Sequence, residues 1–142
     1  MKPQLLTLTA GLMLSSLGFA QPKSVDKAIH DAIVTFANAG DHQDFGAMDS
    51  ILDKDFRVVM NQLFGNTGSV ILDRSTYLTK LKAKELGGDK RMITIENVVN
   101  TGKNAMAQVT LKGSKFTIVT LLQLIQDHSG NWKIVSDLPS VK

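Results

Sequence analysis

No cysteine occurs among the 142 residues. This excludes disulfides, thiolate metal ligands and lipid attachment at a processed N-terminal cysteine, so packing alone must hold the fold. Aromatics are also scarce, with one Trp, one Tyr and six Phe. Acidic side chains number 13 against 16 basic ones, and a pI near 9.2 follows from that shortage of acids more than from any basic face. Nucleic-acid binding asks for a concentrated basic stripe with aromatic or groove-reading partners. The nearest approach is Lys80, Lys82 and Lys84, followed by Lys90 and Arg91. Lys80 and Lys84 share a helical face while Lys82 points elsewhere, which reads as solvated surface. No nucleic-acid partner is expected.

One apolar run is present, at the start. Met1-Lys2-Pro3-Gln4 carries a positive charge, Leu5 to Leu17 is apolar apart from Thr, Ser and Gly, and Gly18-Phe19-Ala20 supplies small residues for cleavage. The pattern predicts a signal peptide over residues 1–20, cleaved after Ala20, because the run is shorter than the ~20 residues of a spanning helix. Residues 21–142 are then one domain, large enough for a single core. Export without cysteine points to the periplasm or secretion, with no membrane contact after cleavage.

Ser24 is a candidate N-cap, and Asp26 suits the first turn of the helix that follows. Val25, Ile29, Ala32, Ile33 and Phe36 recur at helical spacing, and Asn38-Ala39-Gly40 is read as the stop. Asp41 or Asp44 can cap a second helix that buries Phe45, Met48, Ile51 and Leu52. Asp53-Lys54-Asp55 turns the chain into a strand from Phe56 to about Leu63. After the turn Gly65-Asn66-Thr67-Gly68, Ser69 to Leu72 returns. Asp73 caps a third helix with Tyr77, Leu78 and Leu81 inward, ended by Gly87-Gly88. Period-two segments follow at 92–99, 105–112 and 115–126, the last apolar on both faces. A polar turn and a strand opening at Trp132 close the chain. Three helices and a long-stranded meander make an α+β domain whose curved antiparallel sheet wraps the N-terminal helices as a cone. The outer face stays apolar in places, which predicts a homodimer through it.

Several of these residues resemble the nuclear transport factor 2-like superfamily, in its SnoaL-like and lumazine-binding-like branches. They are Gly40-Asp41 after the first helix, Asp53-Lys54-Asp55-Phe56 entering the first strand, and Gly102 with Ala105 and Ala107 in the meander. Gly130-Asn131-Trp132-Lys133-Ile134-Val135 is the most specific piece, and the likeness spans about residues 24–140. The resemblance implies a pocket on the concave side of a curved sheet and frequent homodimers. Its members include enzymes and binding or accessory domains, so fold does not fix function. Many relatives with the Trp ending carry a histidine just after it, in a His-x-Ser pattern. Here that stretch reads Leu138-Pro139-Ser140, which weakens transfer of their acid–base chemistry. No residue displays lumazine binding itself.

Motifs for other chemistry are missing. His30, His42 and His128 are scattered, without ligand spacing, so no metal is expected. Gly68-Ser69 lacks the nucleophile elbow, and Gly65-Asn66-Thr67-Gly68 lacks the Lys of a phosphate loop. A carboxylate in an apolar pocket remains possible as a general base. Glu96 is the first candidate, Asp31 and Asp44 stand behind it, and Tyr77 is a potential oxyanion donor. Met60, Phe64, Tyr77, Gln108, Thr120 and Gln123 are candidate contacts for a small apolar or aromatic molecule. The expected function is an exported ligand-binding or accessory domain without built-in catalysis or cofactor. The alternatives are a cofactor-independent isomerase, dehydratase or cyclase, and a protein-docking module.

Overall fold

A computed structural model describes residues 26–142. The expected signal peptide and the Ser24 cap lie outside the described residues. The first helix, α1 (Lys27–His42), is capped by the Asp26 carboxylate, which accepts from the Ala28 N–H at 2.9 Å. Ile29 and Ile33 on its inner stripe are fully buried, each contributing about 1.5–3 kcal/mol by removal from water. α1 does not stop at Gly40 but runs to a left-handed cap at Gln43. Gly40 has a different task. Its carbonyl accepts from the Gly88 N–H at 3.0 Å, and a Cβ there would lie 3.2 Å from the Arg91 guanidinium. The glycine lets another segment approach the helix, which explains its presence better than helix termination.

Asp44, not Asp41, caps α2 (Phe45–Ile51) by accepting from the Ala47 N–H at 3.0 Å. Met48 is buried, whereas Phe45 is 40% exposed and does not join the inward side as expected. The chain enters β1 (Leu52–Asn61) directly, so Asp53-Lys54-Asp55 belongs to the strand and is not a turn before it. β2 (Ser69–Asp73) returns antiparallel, and the Asp73 carboxylate caps α3 (Arg74–Lys82). α3 ends at Ala83, short of the predicted Gly87-Gly88.

The meander follows as β3 (Met92–Asn100), β4 (Asn104–Lys112), β5 (Thr117–Gln126) and β6 (Trp132–Val141). All six strands form one curved, unclosed sheet in the order β2-β1-β6-β5-β4-β3, with the helices supplying the other layer. The α+β architecture is as the sequence predicts, with one correction to its pairing. β1 lies parallel to β6, so the sheet is mixed. Phe56, Val58, Ala107, Val109, Leu122, Leu124 and Ile134 face the helices and form the core with α1. The outer face of β5 is uncovered in the protomer, and Leu121 is 40% exposed there.

The segment between α3 and β3 is pinned to the end of α1 at Gly87. A Cβ at this residue would lie 2.1 Å from the Gly40 carbonyl oxygen, and its φ of +75° favours glycine. Gly87→Ala should therefore destabilise the fold by about 2 kcal/mol or more. An unchanged urea midpoint would show that the contact yields without cost.

Candidate functional site

A cavity of about 410 Å³ lies between α1, α3 and the concave face of the sheet. Its walls are mainly apolar, with Phe36 from α1, Val58 from β1 and Leu111 from β4 each nearly fully buried. The exposed end is marked by Phe64, Phe116 and Val141. Five polar or charged side chains belong to the walls: Tyr77, Glu85, Arg91, Thr120 and Asp137. Glu85 is exposed and paired with Lys80, which leaves Asp137 as the buried acid among them.

Asp137 enters the cavity because of an irregularity in β6. Leu124 of β5 pairs with Ile134, but the preceding Gln123 pairs with Ser136, which leaves Val135 as an extra residue. A bulge of this kind reverses the facing of every residue beyond it. Before the bulge Trp132 and Ile134 face the core. After it Asp137, Pro139 and Val141 line the cavity, while Leu138 turns outward and is 42% exposed. Strict alternation would have grouped Asp137 with Lys133 on the outer face. The position where many relatives of similar ending carry histidine thus points away from the cavity in this chain.

The Thr120 hydroxyl, fully buried on neighbouring β5, donates to Asp137 Oδ1. Oδ2 has no hydrogen-bond partner among the described residues. Burial pushes the Asp137 carboxyl up to about 6, against the lowering effects of the Thr120 hydrogen bond and the Arg91 charge. Desolvation wins because a lone hydroxyl donor replaces only part of the hydration that the charged form loses. Tyr77 packs its ring edge-on against Phe56, with centroids 5.2 Å apart. Burial, reinforced by the charge of Asp137, raises its phenol above the usual range, so it keeps its proton and is available as a hydrogen-bond donor. Arg91 is tied to Asp41 of α1: its backbone N–H donates to Oδ2 at 3.0 Å and its Nε to Oδ1 at 2.5 Å. Both side chains are largely buried. Removing either partner would strand the other charge, at a cost of about 3–5 kcal/mol.

The structure sorts the sequence candidates by face. Met60, Phe64, Tyr77 and Thr120 line the cavity. Gln108 and Gln123 lie on the opposite face, where Gln108 donates to Glu96 Oε2 at 3.2 Å. Glu96 is exposed there and does not reach the cavity, because β3 turns its other face, with Ile93 and Ile95, toward the core. Asp31 is exposed and pairs with Lys27, and Asp44 is occupied as the α2 cap. None of these three carboxylates is enclosed by the cavity. Asp137 is the buried carboxylate on its wall, and the available sign was Pro139: a proline in a central strand marks an edge or a bulge.

The Asp137 titration has a definite sign. In an unfolded chain the group titrates near 3.9; in the folded protein it does so at about 6. The folded state therefore binds the proton more tightly. Its stabilising contribution is complete below about pH 4 and is lost as pH rises through about 6, a total of about 3 kcal/mol. Asp137→Asn should flatten this loss. Urea unfolding of both proteins at pH 4 and pH 8 is the check, and parallel behaviour would refute the assignment.

Comparison with known proteins gives consistent results. The profile of the family described as "Putative lumazine-binding" matches residues 24–138. A search of curated proteins gave no match. Among solved structures, a nuclear transport factor 2-like protein of unknown function from Silicibacter pomeroyi DSS-3 superimposes with a TM-score of 0.70 at 18% identity, covering 82% of this chain and 94% of that one. A second such protein, from Shewanella baltica OS155, gives 0.69 at 14% identity over 82% and 92% of the two chains. A ketosteroid isomerase-like protein from Erwinia carotovora atroseptica SCRI1043 gives 0.66 at 15% identity over 81% and 94%. Identities this low speak to fold alone.

Proposed function

This chain belongs to the family described as "Putative lumazine-binding", within the nuclear transport factor 2-like superfamily, and we propose that its cavity binds one small, mostly apolar molecule through Asp137. The observation that carries this reading is the enclosed carboxylate, with Oδ1 held by Thr120 and Oδ2 unpartnered among the described residues. A hydroxyl or amine on the ligand would donate to Oδ2, while the apolar walls take up the rest. The volume of about 410 Å³ falls at the lower end of the ~300–1,000 Å³ range of small-molecule pockets.

A second reading rests on the same acid. Asp137 titrates at about 6, so it is mostly ionised at neutral pH and still basic enough to take a proton beside a carbonyl. Tyr77, in the same cavity and protonated, would donate to the developing oxyanion. The reaction would be a cofactor-independent isomerisation: the base removes the α proton of a β,γ-unsaturated ketone and returns it at the γ carbon.

One pair of measurements separates the two readings. 2-Naphthol, an aromatic alcohol of suitable size, should bind the wild-type protein, and Asp137→Ala should weaken it about ten- to a hundredfold, the worth of a hydrogen bond to a charged group. Equal affinities would remove Asp137 from the binding reading. With 3-cyclohexenone, catalysis would appear as a growing conjugated-enone absorbance whose kcat/KM rises through about pH 6 and vanishes in Asp137→Asn. No turnover above buffer would leave binding alone.

We also propose a homodimer through the outer sheet face. Val99, Met106, Leu121 and Leu138 are each at least 40% exposed there, more apolar surface than one strand row ordinarily leaves to water. Sedimentation should give a dimer for the wild type and a monomer for Leu121→Lys. A monomeric wild type would reject the interface.

A further inference from the structure

The register places six strand ends along one edge of the sheet: the ends of β1, β4 and β6 and the starts of β2, β3 and β5. Residues 60–70, 90–92, 112–118 and 139–142 form this edge. They contain Lys90, Arg91, Lys112, Lys115 and Lys142 and no Asp or Glu. Arg91 is neutralised by Asp41. The four lysines are exposed, and none forms an ion pair among the described residues. Two further acids adjoin the edge: Asp89, bonded through its carboxylate to the Ser114 N–H and hydroxyl at 2.9 Å, offsets part of the charge of Lys115, and Glu85 on the cavity wall is paired with Lys80. The opposite edge is mixed, with Asp53, Asp55 and Asp127 beside Lys54 and Lys103.

Apolar side chains stand among these lysines, at the mouth of the cavity. Phe64 in the β1–β2 loop is 67% exposed, and Phe116 in the β4–β5 turn is 40% exposed. Their ring centroids are 6.2 Å apart, so the two loops present one aromatic tip. Phe64 holds a φ of +53°, a conformation that a bulky residue adopts only when something outweighs its strain. Burial is not that reason, since the ring faces solvent.

Exposed aromatics on an edge that also carries unpaired lysines are the composition of a surface that seats on anionic lipid headgroups, with rings in the acyl boundary and ammonium groups on phosphates. We infer that this edge docks on an anionic membrane and presents the cavity mouth to ligand dissolved in the bilayer. The inference rests on the ligand-binding reading of the cavity and narrows the ligand to a molecule that partitions into lipid. It departs from the expectation of no membrane contact, since docking of this kind needs no spanning segment. Among the described residues no helix is long and apolar enough to cross a membrane.

Vesicle co-sedimentation tests it. The protein should bind vesicles of phosphatidylcholine containing phosphatidylglycerol and not vesicles of phosphatidylcholine alone. Binding should collapse at about 1 M salt, where charges are screened beyond ~3 Å. Lys112→Ala and Lys115→Ala should each lower partitioning about fivefold, and Phe64→Ala about tenfold. These side chains are exposed, and unchanged thermal midpoints would confirm intact folding. Equal binding to both vesicle types, or lysine and Phe64 variants that partition like the wild type, would overturn the proposal. So would a single-stranded oligonucleotide bound as tightly as the vesicles and with the same dependence on Phe64. 2-Naphthol binding without vesicles reports on the cavity separately: if it persists while vesicle binding fails, only the docking surface is rejected. If it fails while anionic vesicles still bind, the cavity reading falls and the docking surface stands.

Discussion

The junction between the last turn of α1 and the segment entering β3 sets the shape of everything beside it. Gly40 offers its carbonyl to the Gly88 N–H, and Asp41, one residue on, receives the backbone and side chain of Arg91. Backbone contact and ion pair together lock the helical layer to the start of the meander. They also hold Leu86, Gly87 and Arg91 along one wall of the cavity. A buried ion pair adds little net stability, because desolvation consumes most of the Coulomb gain. Its value here is positional: once Asp41 and Arg91 are enclosed, any arrangement that separates them is disfavoured.

The same cation acts at a distance on the enclosed acid. Burial raises Asp137, while Thr120 and Arg91 work in the other direction. The outcome near 6 is a compromise between an apolar cavity, which favours the neutral acid, and two partial stabilisers of the anion. An interior without Thr120 and Arg91 would hold the acid protonated at neutral pH. A wetter one would let it ionise as an ordinary surface carboxylate. The cavity keeps a carboxylate that is charged yet poorly solvated, a state suited to gripping a donor group or withdrawing a proton.

Much of the fold was legible in the sequence because its signals are local. Asp44 and Asp73 announce their helices, Ile29, Ile33 and Phe36 their stripe, and the meander its period of two. The parallel pairing of β1 with β6 was not legible, since it joins segments from opposite ends of the chain and leaves no short-range trace. Within the site, Tyr77 and Thr120 were reachable by elimination, one as the only tyrosine and the other as a polar residue in an apolar strand. Glu96 was misjudged because a lone strand does not say which of its faces is concave. Asp137 was missed for a sharper reason: the pattern itself is interrupted, and alternation counted from Trp132 gives the wrong answer beyond Val135.

That interruption works as a frameshift in a two-letter code. Upstream of Val135 the even-numbered residues of β6 face the core; downstream the odd-numbered ones face the cavity. One strand thus serves two masters, the packed core at its start and the cavity at its end, without any helix or loop between them. Substitution data along β6 must be read in two frames, and so must any alignment with relatives. A relative that lacks the extra residue would carry the same letters at its strand end and expose the opposite chemistry to its cavity.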